Sequence, residues 1–233
     1  MIRFESVSFA YDRRRPLFQA VDLEIGPGLT LVLGPNGSGK STLLKMAAGV
    51  EPPDAGRILL DGRDLWKDEV EARRGLAYLP EQPDLTPYAT IKDILTLVCR
   101  LRSEPLVRVE EVLAMVGLEA LGGRSVRELS LGQKRKATLA AAFLGKPGHL
   151  LLDEPLEAMD RGARDVIVAW IGLRLSEGAA AVVVSHDIDH FTASASAILA
   201  LQGAKVTHYG NLPADPQSRR RQMDRLARGE EAP

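Results

Sequence analysis

One octapeptide constrains this chain more than any other stretch. Gly34-Pro35-Asn36-Gly37-Ser38-Gly39-Lys40-Ser41 follows an apolar run, Leu29 to Leu33, and precedes a helix-forming segment from Thr42 to Ala48. Strand, glycine-rich loop and helix in that order make a P-loop. Glycine at 34, 37 and 39 lets successive backbone N–H groups converge on one centre, and the helix N-terminus adds partial positive charge, so the loop is a nest for phosphate oxygens. Lys40 can reach the outer phosphates and the Ser41 hydroxyl can ligate Mg²⁺. The plain alternative, a glycine-rich turn, does not account for the strand before it and the helix after it.

A second segment supplies acid. Leu150-Leu151-Leu152-Asp153-Glu154 reads as a buried strand ending in two carboxylates, an arrangement that is costly unless something cationic sits there. Strand side chains alternate between faces, which predicts different roles for the two acids. Asp153 suits the Mg²⁺ shell, through water. Glu154 suits orienting and activating an attacking water.

Around these motifs the pattern alternates. Strand patterns fall at Ile2 to Ala10, Ala20 to Ile25, Arg57 to Leu60, Leu76 to Leu79 and Ala180 to Val184, with two more around Ile198 and Val206. Helical spacing is found at Thr90 to Leu101, Val109 to Val116 and Arg161 to Ser176. Strands alternating with helices predict a mostly parallel sheet covered on both faces. Residues 83–145 read as a mainly helical insert, and the charged tail from Asp215, with Arg219, Arg220 and Arg221 in a run, as a solvated helix that frays. With 30 Lys+Arg against 31 Asp+Glu and a formal net charge of -1, the surface as a whole is not built to grip nucleic acid. The single cysteine, Cys99, has no partner within the chain for a disulfide. No run approaches the roughly 18 apolar residues of a membrane span, and the N-terminus lacks a secretory signal pattern; the expected location is cytosolic.

Between the two nucleotide motifs lies Leu129-Ser130-Leu131-Gly132-Gln133, followed by a helix from Lys134 to Leu144. With it the chain resembles the ATP-binding cassette (ABC) family of ATPases from about residue 2 to about 209. Ser130 and Gln133 also make an ordinary capping box, and the two readings are compatible, because a capped helix N-terminus is what a γ-phosphate would bind. Leu131 stands where the family usually has glycine. Further segments resemble the family's in order. Glu157-Ala158-Met159-Asp160 matches its D-loop, with Asp160 as the aspartate. Val182-Val183-Val184-Ser185-His186-Asp187 matches its switch strand, with His186 toward the γ-phosphate and Glu154. Phe9-Ala10-Tyr11 resembles the loop whose aromatic stacks on adenine. In Tyr78-Leu79-Pro80-Glu81-Gln82-Pro83 either Glu81 or, with a one-residue shift, Gln82 takes the place of the family's Mg²⁺-touching glutamine.

The resemblance implies a RecA-like P-loop NTPase core (residues 1–82 and 146–212) with an N-terminal antiparallel β portion. It also implies a helical subdomain (83–145) carrying the signature segment and a charged tail (213–233). It implies ATP hydrolysis with Mg²⁺ in the nucleotide-binding subunit of a membrane transporter, held at the inner face of the membrane by a membrane-spanning partner. Lys40, Glu154 and His186 would be catalytic, Ser41, Asp153 and Gln82 metal-facing. A second cassette, identical or not, would present its Ser130, Gly132 and Gln133 to the ATP held here, and no nucleic-acid partner is expected. A soluble ABC ATPase working on DNA or ribosomes is the main rival. Such members carry two cassettes or a long coiled coil, and this sequence has one cassette and no sustained heptads. A P-loop kinase acting alone leaves Leu129 to Gln133 and His186 unexplained, and a binding-only cassette is disfavoured by Glu154 with His186.

Overall fold

Why the apolar strands lack the usual polar alternation is clear from where their two faces go. In the computed structural model, which describes residues 1–230, strand β3 (Gly28–Leu33) sends Leu29, Leu31 and Leu33 to one core and Val32 to another. Strand β7 (His149–Asp153) divides Leu150 and Leu152 from Leu151, and β8 (Ala180–Val184) divides Ala181 and Val183 from Val182 and Val184. Both faces of such strands are dry, as parallel sheets require.

The large sheet has six strands in the order β10-β9-β3-β8-β7-β6, where β6 is Leu76–Leu79, β9 is Ala195–Gln202 and β10 is Lys205–Tyr209. All neighbours in it pair in parallel except β10, which returns antiparallel to β9 at the edge. A second, four-stranded antiparallel sheet has the order β2-β1-β4-β5, from β1 (Ile2–Phe9), β2 (Phe18–Ile25), β4 (Ala55–Leu60) and β5 (Arg63–Asp64). The antiparallel N-terminal portion and the parallel core expected from the sequence are both present.

Helix α1 (Lys40–Ala47) lies between the sheets, burying Leu43, Leu44 and Met46 among Phe4, Ile58 and Val182. A short helix, α2 (Glu69–Arg73), precedes β6. Between residues 83 and 145 come α3 (Ile91–Leu101), α4 (Arg108–Val116) and α5 (Leu131–Phe143), with two short 3₁₀ turns. They pack through Leu95, Cys99, Val112, Leu113 and Leu139 onto the face of the large sheet opposite α1, together with α6 (Arg161–Ser176). After β8 the chain forms a four-residue helix, α7 (Asp189–Thr192).

The tail departs from the sequence expectation. Helix α8 (Pro216–Ala227) is not a fraying solvated helix: Met223 and Leu226 are buried in the main core, and α8 packs against α7 and β3. Its arginine run hides this, because a mean composition of charge conceals an apolar pair at i and i+3. The last part of the expected tail, residues 231–233, lies outside the described residues.

Candidate functional site

At the C-terminal ends of β3, β7 and β8 a cleft of about 590 Å³ opens, the position where open α/β sheets bind ligands. Each strand delivers one part of its lining: Asn36, Gly37, Gly39, Lys40, Ser41 and Thr42 after β3, Asp153 and Glu154 at the end of β7, Val184 and His186 from β8. Glu81, Glu157, Leu17 and Tyr11 complete it. Gly34 and Pro35 line an adjoining cavity of about 310 Å³, which shares Asn36, Lys40 and His186 with the cleft.

The loop geometry explains its glycines. Gly39 (φ 99°) caps α1 in the left-handed region, and a Cβ there would stand 2.9 Å from the Leu17 side chain. At Gly34 (φ 151°) a Cβ would fall 2.5 Å from the Leu201 carbonyl oxygen, a contact that backbone cannot relieve. Ser38 places its hydroxyl, buried and without a hydrogen-bond partner, inside the loop. Lys40 folds back, Nζ donating to the carbonyls of Gly34 (2.8 Å) and Pro35 (3.1 Å). Burial lowers its pKa, opposed by the carboxylates of Glu154 and Asp153.

Asp153 is 2% exposed and its Oδ1 has no hydrogen-bond partner. Burial pushes its carboxyl above the usual range; the Ser41 hydroxyl and the ammoniums of Lys45 and Lys40 oppose this, and the Glu81 carboxylate adds to it. Glu154 is likewise raised, by burial first, against the backbone N–H and ring of His186. Strand alternation does not separate the two acids. The strand ends at Asp153, and Glu154 turns into the left-handed region (φ 49°), its N–H donating to the Val184 carbonyl at 2.9 Å. Both side chains consequently line one cleft. A non-glycine residue held at positive φ costs on the order of 1 kcal/mol and is a mark of functional sites.

His186 meets Glu154 in two ways: its backbone N–H donates to Oε2 at 3.1 Å, and its Nε2 stands 3.7 Å from Oε1. Tyr11 is exposed at the mouth of the cleft, edge-on to Phe9 with ring centroids 4.7 Å apart, its hydroxyl 3.3 Å from Thr42 Oγ1. Of the two residues left open by sequence, Glu81 lines the cleft and Gln82 does not.

Ser130, Gly132, Gln133 and Asp160 lie outside this chain's own cleft. Ser130 and Gln133 form a reciprocal capping box at the start of α5: the Gln133 N–H donates to Ser130 Oγ (3.3 Å) and the Ser130 N–H to Gln133 Oε1 (2.9 Å). Gly132 approaches the Ala158 carbonyl, and Asp160 caps α6 through the Ala163 N–H (2.9 Å) while holding Lys136 Nζ at 2.6 Å.

Sequence reading missed Arg135. Its guanidinium is buried and donates to the carbonyls of Glu157 (2.6 Å) and Glu81 (2.7 Å) and to the Glu157 carboxylate (2.8 Å). It thereby ties α5 to both loops that carry acids into the cleft. Only its place two residues beyond Gln133, amid lysines, hinted at anything other than a surface charge.

The fold and the loop define a P-loop nucleotide-binding core of the RecA-like type. A family model described as "ABC transporter" matches residues 18–157, more than half of the chain, and the chain belongs to that family. It is 37% identical over 221 residues to the sulfate/thiosulfate import ATP-binding protein CysA of Thermosynechococcus vestitus, covering 92% of this chain and 65% of that protein. It is 33% identical over 220 residues to the taurine import ATP-binding protein TauB of Pseudomonas aeruginosa, covering 91% of this chain and 82% of that one. The chain thus spans less than two thirds of the length of the sulfate/thiosulfate relative. Among solved structures, a dimeric bacterial ABC transporter cassette superposes with a TM-score of 0.78 at 25% identity, over 90% of this chain and 98% of that one. An ATP-binding subunit of an ABC transporter matches the fold with a TM-score of 0.81 at 23% identity, over 90% of each chain.

Proposed function

We propose that this chain binds and hydrolyses ATP as the nucleotide-binding subunit of an ABC transporter, and that a separate membrane-spanning subunit carries the cargo. One observation carries the reading: three strands of a single sheet bring Lys40, Ser41, Asp153, Glu154 and His186 to one cleft. Among the described residues no helix is long and apolar enough to cross a membrane, which fits a division of labour with a membrane partner and a place at the inner face of the membrane. The relatives named above are import proteins, which supports uptake as the direction.

The chain's own residues would act as follows. The amides from Gly37 to Ser41 and the Lys40 ammonium hold the phosphates and take up charge as it develops on them. Lys40 Nζ, which donates to the carbonyls of Gly34 and Pro35, is an ammonium with three donors and has a third for a phosphate oxygen. Tyr11 offers a ring face for adenine. Glu154 orients the attacking water and accepts its proton, held by the His186 N–H, and His186 reaches toward the terminal phosphate.

The donor set fits Mg²⁺: a buried Asp153 oxygen without a partner, the Ser41 hydroxyl beside it and the Glu81 carboxylate in the same cleft are the oxygen ligands this ion takes. When bound, the ion would neutralise charge between the outer phosphates. Glu81 rather than Gln82 is the residue we assign to that side.

Ser130 and Gln133 are not part of this cleft's lining, and their capped helix N-terminus supports a role in closing a second cassette's site. Lys40→Ala tests the central reading. Titration with a fluorescent ATP analogue is expected to show a loss of at least about tenfold in affinity, about 1.4 kcal/mol. Affinity within twofold of wild type would remove the P-loop assignment.

A further inference from the structure

The arginine run of the tail has a use that its sequence does not announce. The four-residue helix α7 begins three residues after His186, and α8 grips both of its ends. Arg220 pairs with Asp189, the first residue of α7, and its Nε also holds Asp224 Oδ1 at 3.0 Å. Arg219 donates through Nη1 to the carbonyls of Thr192 (3.2 Å) and Ala193 (3.3 Å) at the other end, and through Nε to the Pro213 carbonyl (2.9 Å). Capping carbonyls that a helix end leaves unpaired is a favourable place for an arginine.

The far end of α8 reaches the phosphate loop. Gly229 (φ 78°) closes the helix so tightly on Pro35 that a Cβ there would stand 3.3 Å from the proline ring, and the Gln202 amide donates to the Gly229 carbonyl at 2.6 Å. Met223 and Leu226 bury the middle of the helix in the core. One rigid element therefore touches the loop that carries Lys40 and the segment that carries His186. Between them lies the 310 Å³ cavity, lined by Pro35, Lys40, His186, Ile188, Arg220 and Asp224.

We propose that α8 is an internal brace that sets His186 against the phosphate loop, with Arg219 and Arg220 as positioning residues for hydrolysis. The proposal rests on the reading of His186 as the residue that faces the terminal phosphate. An exposed ion pair alone is worth little stability; here the pair and the carbonyl caps fix a short helix that a single turn could not hold by itself. Their effect is expected on turnover rather than on binding, because the ends of α7 are tied but the loop amides are untouched.

The test uses the full chain and its basal ATP turnover. Arg219→Ala/Arg220→Ala is expected to lower kcat about tenfold, as a small misplacement of a reacting group does, with KM and fluorescent-ATP affinity within twofold of wild type. Amide exchange over residues 185–193 should speed up. The charge exchange Arg220→Asp/Asp189→Arg should recover turnover relative to Arg220→Asp alone. In a His186→Ala background the double substitution should lower turnover less than twofold further, since coupled residues are not additive. Unchanged kcat in the double variant, an equal loss of affinity and kcat, or a full tenfold additional loss on top of His186→Ala would overturn the brace. Wild-type turnover in His186→Ala would remove the reading of His186 and the brace with it, whereas a slow His186→Ala beside a normal double variant removes the brace alone.

Discussion

The backbone N–H of His186 donates to Oε2 of Glu154 at 3.1 Å, so the carboxylate proposed to face water is aimed by a peptide group and not only by an imidazole. The left-handed turn at Glu154 makes this possible, by swinging the side chain from the line of β7 toward the end of β8. Substitution of His186 therefore leaves one of the two contacts in place, and substitution of Glu154 removes both.

The first prediction concerns the charge on that carboxylate. Burial raises the Glu154 pKa, so its reactive, ionised form is lost as pH falls at values above the ordinary glutamate range. The kcat profile is expected to show an acid limb displaced upward from that range. Glu154→Gln should bind Mg-ATP within a few-fold of wild type yet hydrolyse it at least about a hundredfold more slowly, the scale of general-base catalysis. Turnover in the glutamine variant near that of wild type would remove Glu154 from this role.

Asp153 gives a prediction on stability. Its folded pKa lies above the unfolded value because of burial, so it contributes stability below the unfolded pKa that is lost as pH rises through the folded one. As pH rises and the buried carboxyl ionises, its charge becomes a cost to the folded chain. Asp153→Asn is expected to raise Tm without nucleotide or divalent ion, by about 2–4 °C for each kcal/mol recovered, and the gain should shrink toward pH 4. The same variant should lose Mg²⁺-dependent tightening of ATP. A lower Tm at pH 7.5 would contradict the burial argument.

Glu81 and Gln82 are distinguished by position, since Glu81 enters the cleft and its carbonyl is held by Arg135 at 2.7 Å. Glu81→Ala should lower Mg-ATP turnover by about tenfold or more, the scale on which a positioned polar group acts. Gln82→Ala should change it less than twofold. Arg135→Met should weaken turnover in the same direction while costing stability, because three carbonyl and carboxylate oxygens lose their buried donor. Parallel kinetics in rapid-quench assays would show whether the loss in Arg135→Met equals that in Glu81→Ala.

A fourth prediction concerns assembly. In Glu154→Gln with saturating Mg-ATP, light scattering is expected to show a dimer that is absent without nucleotide. Adding Ser130→Arg should abolish it while leaving ATP binding by the single chain within about twofold. The cap lost at α5 should cost about 1 kcal/mol, too little to unfold the chain. A Ser130→Arg variant that dimerises as well as its parent would exclude a shared site.

The sequence by itself determined whatever depends on short-range spacing. Three glycines and a lysine between an apolar strand and a helix dictate a phosphate nest. An apolar run ending in Asp153-Glu154 dictates a buried strand with acids at its tip, and Ser130 with Gln133 dictates a capped helix start. These are backbone and neighbour effects, carried within a few residues of chain. Tertiary structure alone decided what depends on which elements meet. It brought β3 between β9 and β8, so that Lys40, Glu154 and His186 share a cleft. It turned Glu154 out of strand alternation, put Glu81 and not Gln82 in the lining of the cleft, and buried Arg135 between two loops. It also docked the arginine-rich tail through Met223 and Leu226, because burying apolar surface and pairing buried charges are gains that only long-range contacts supply.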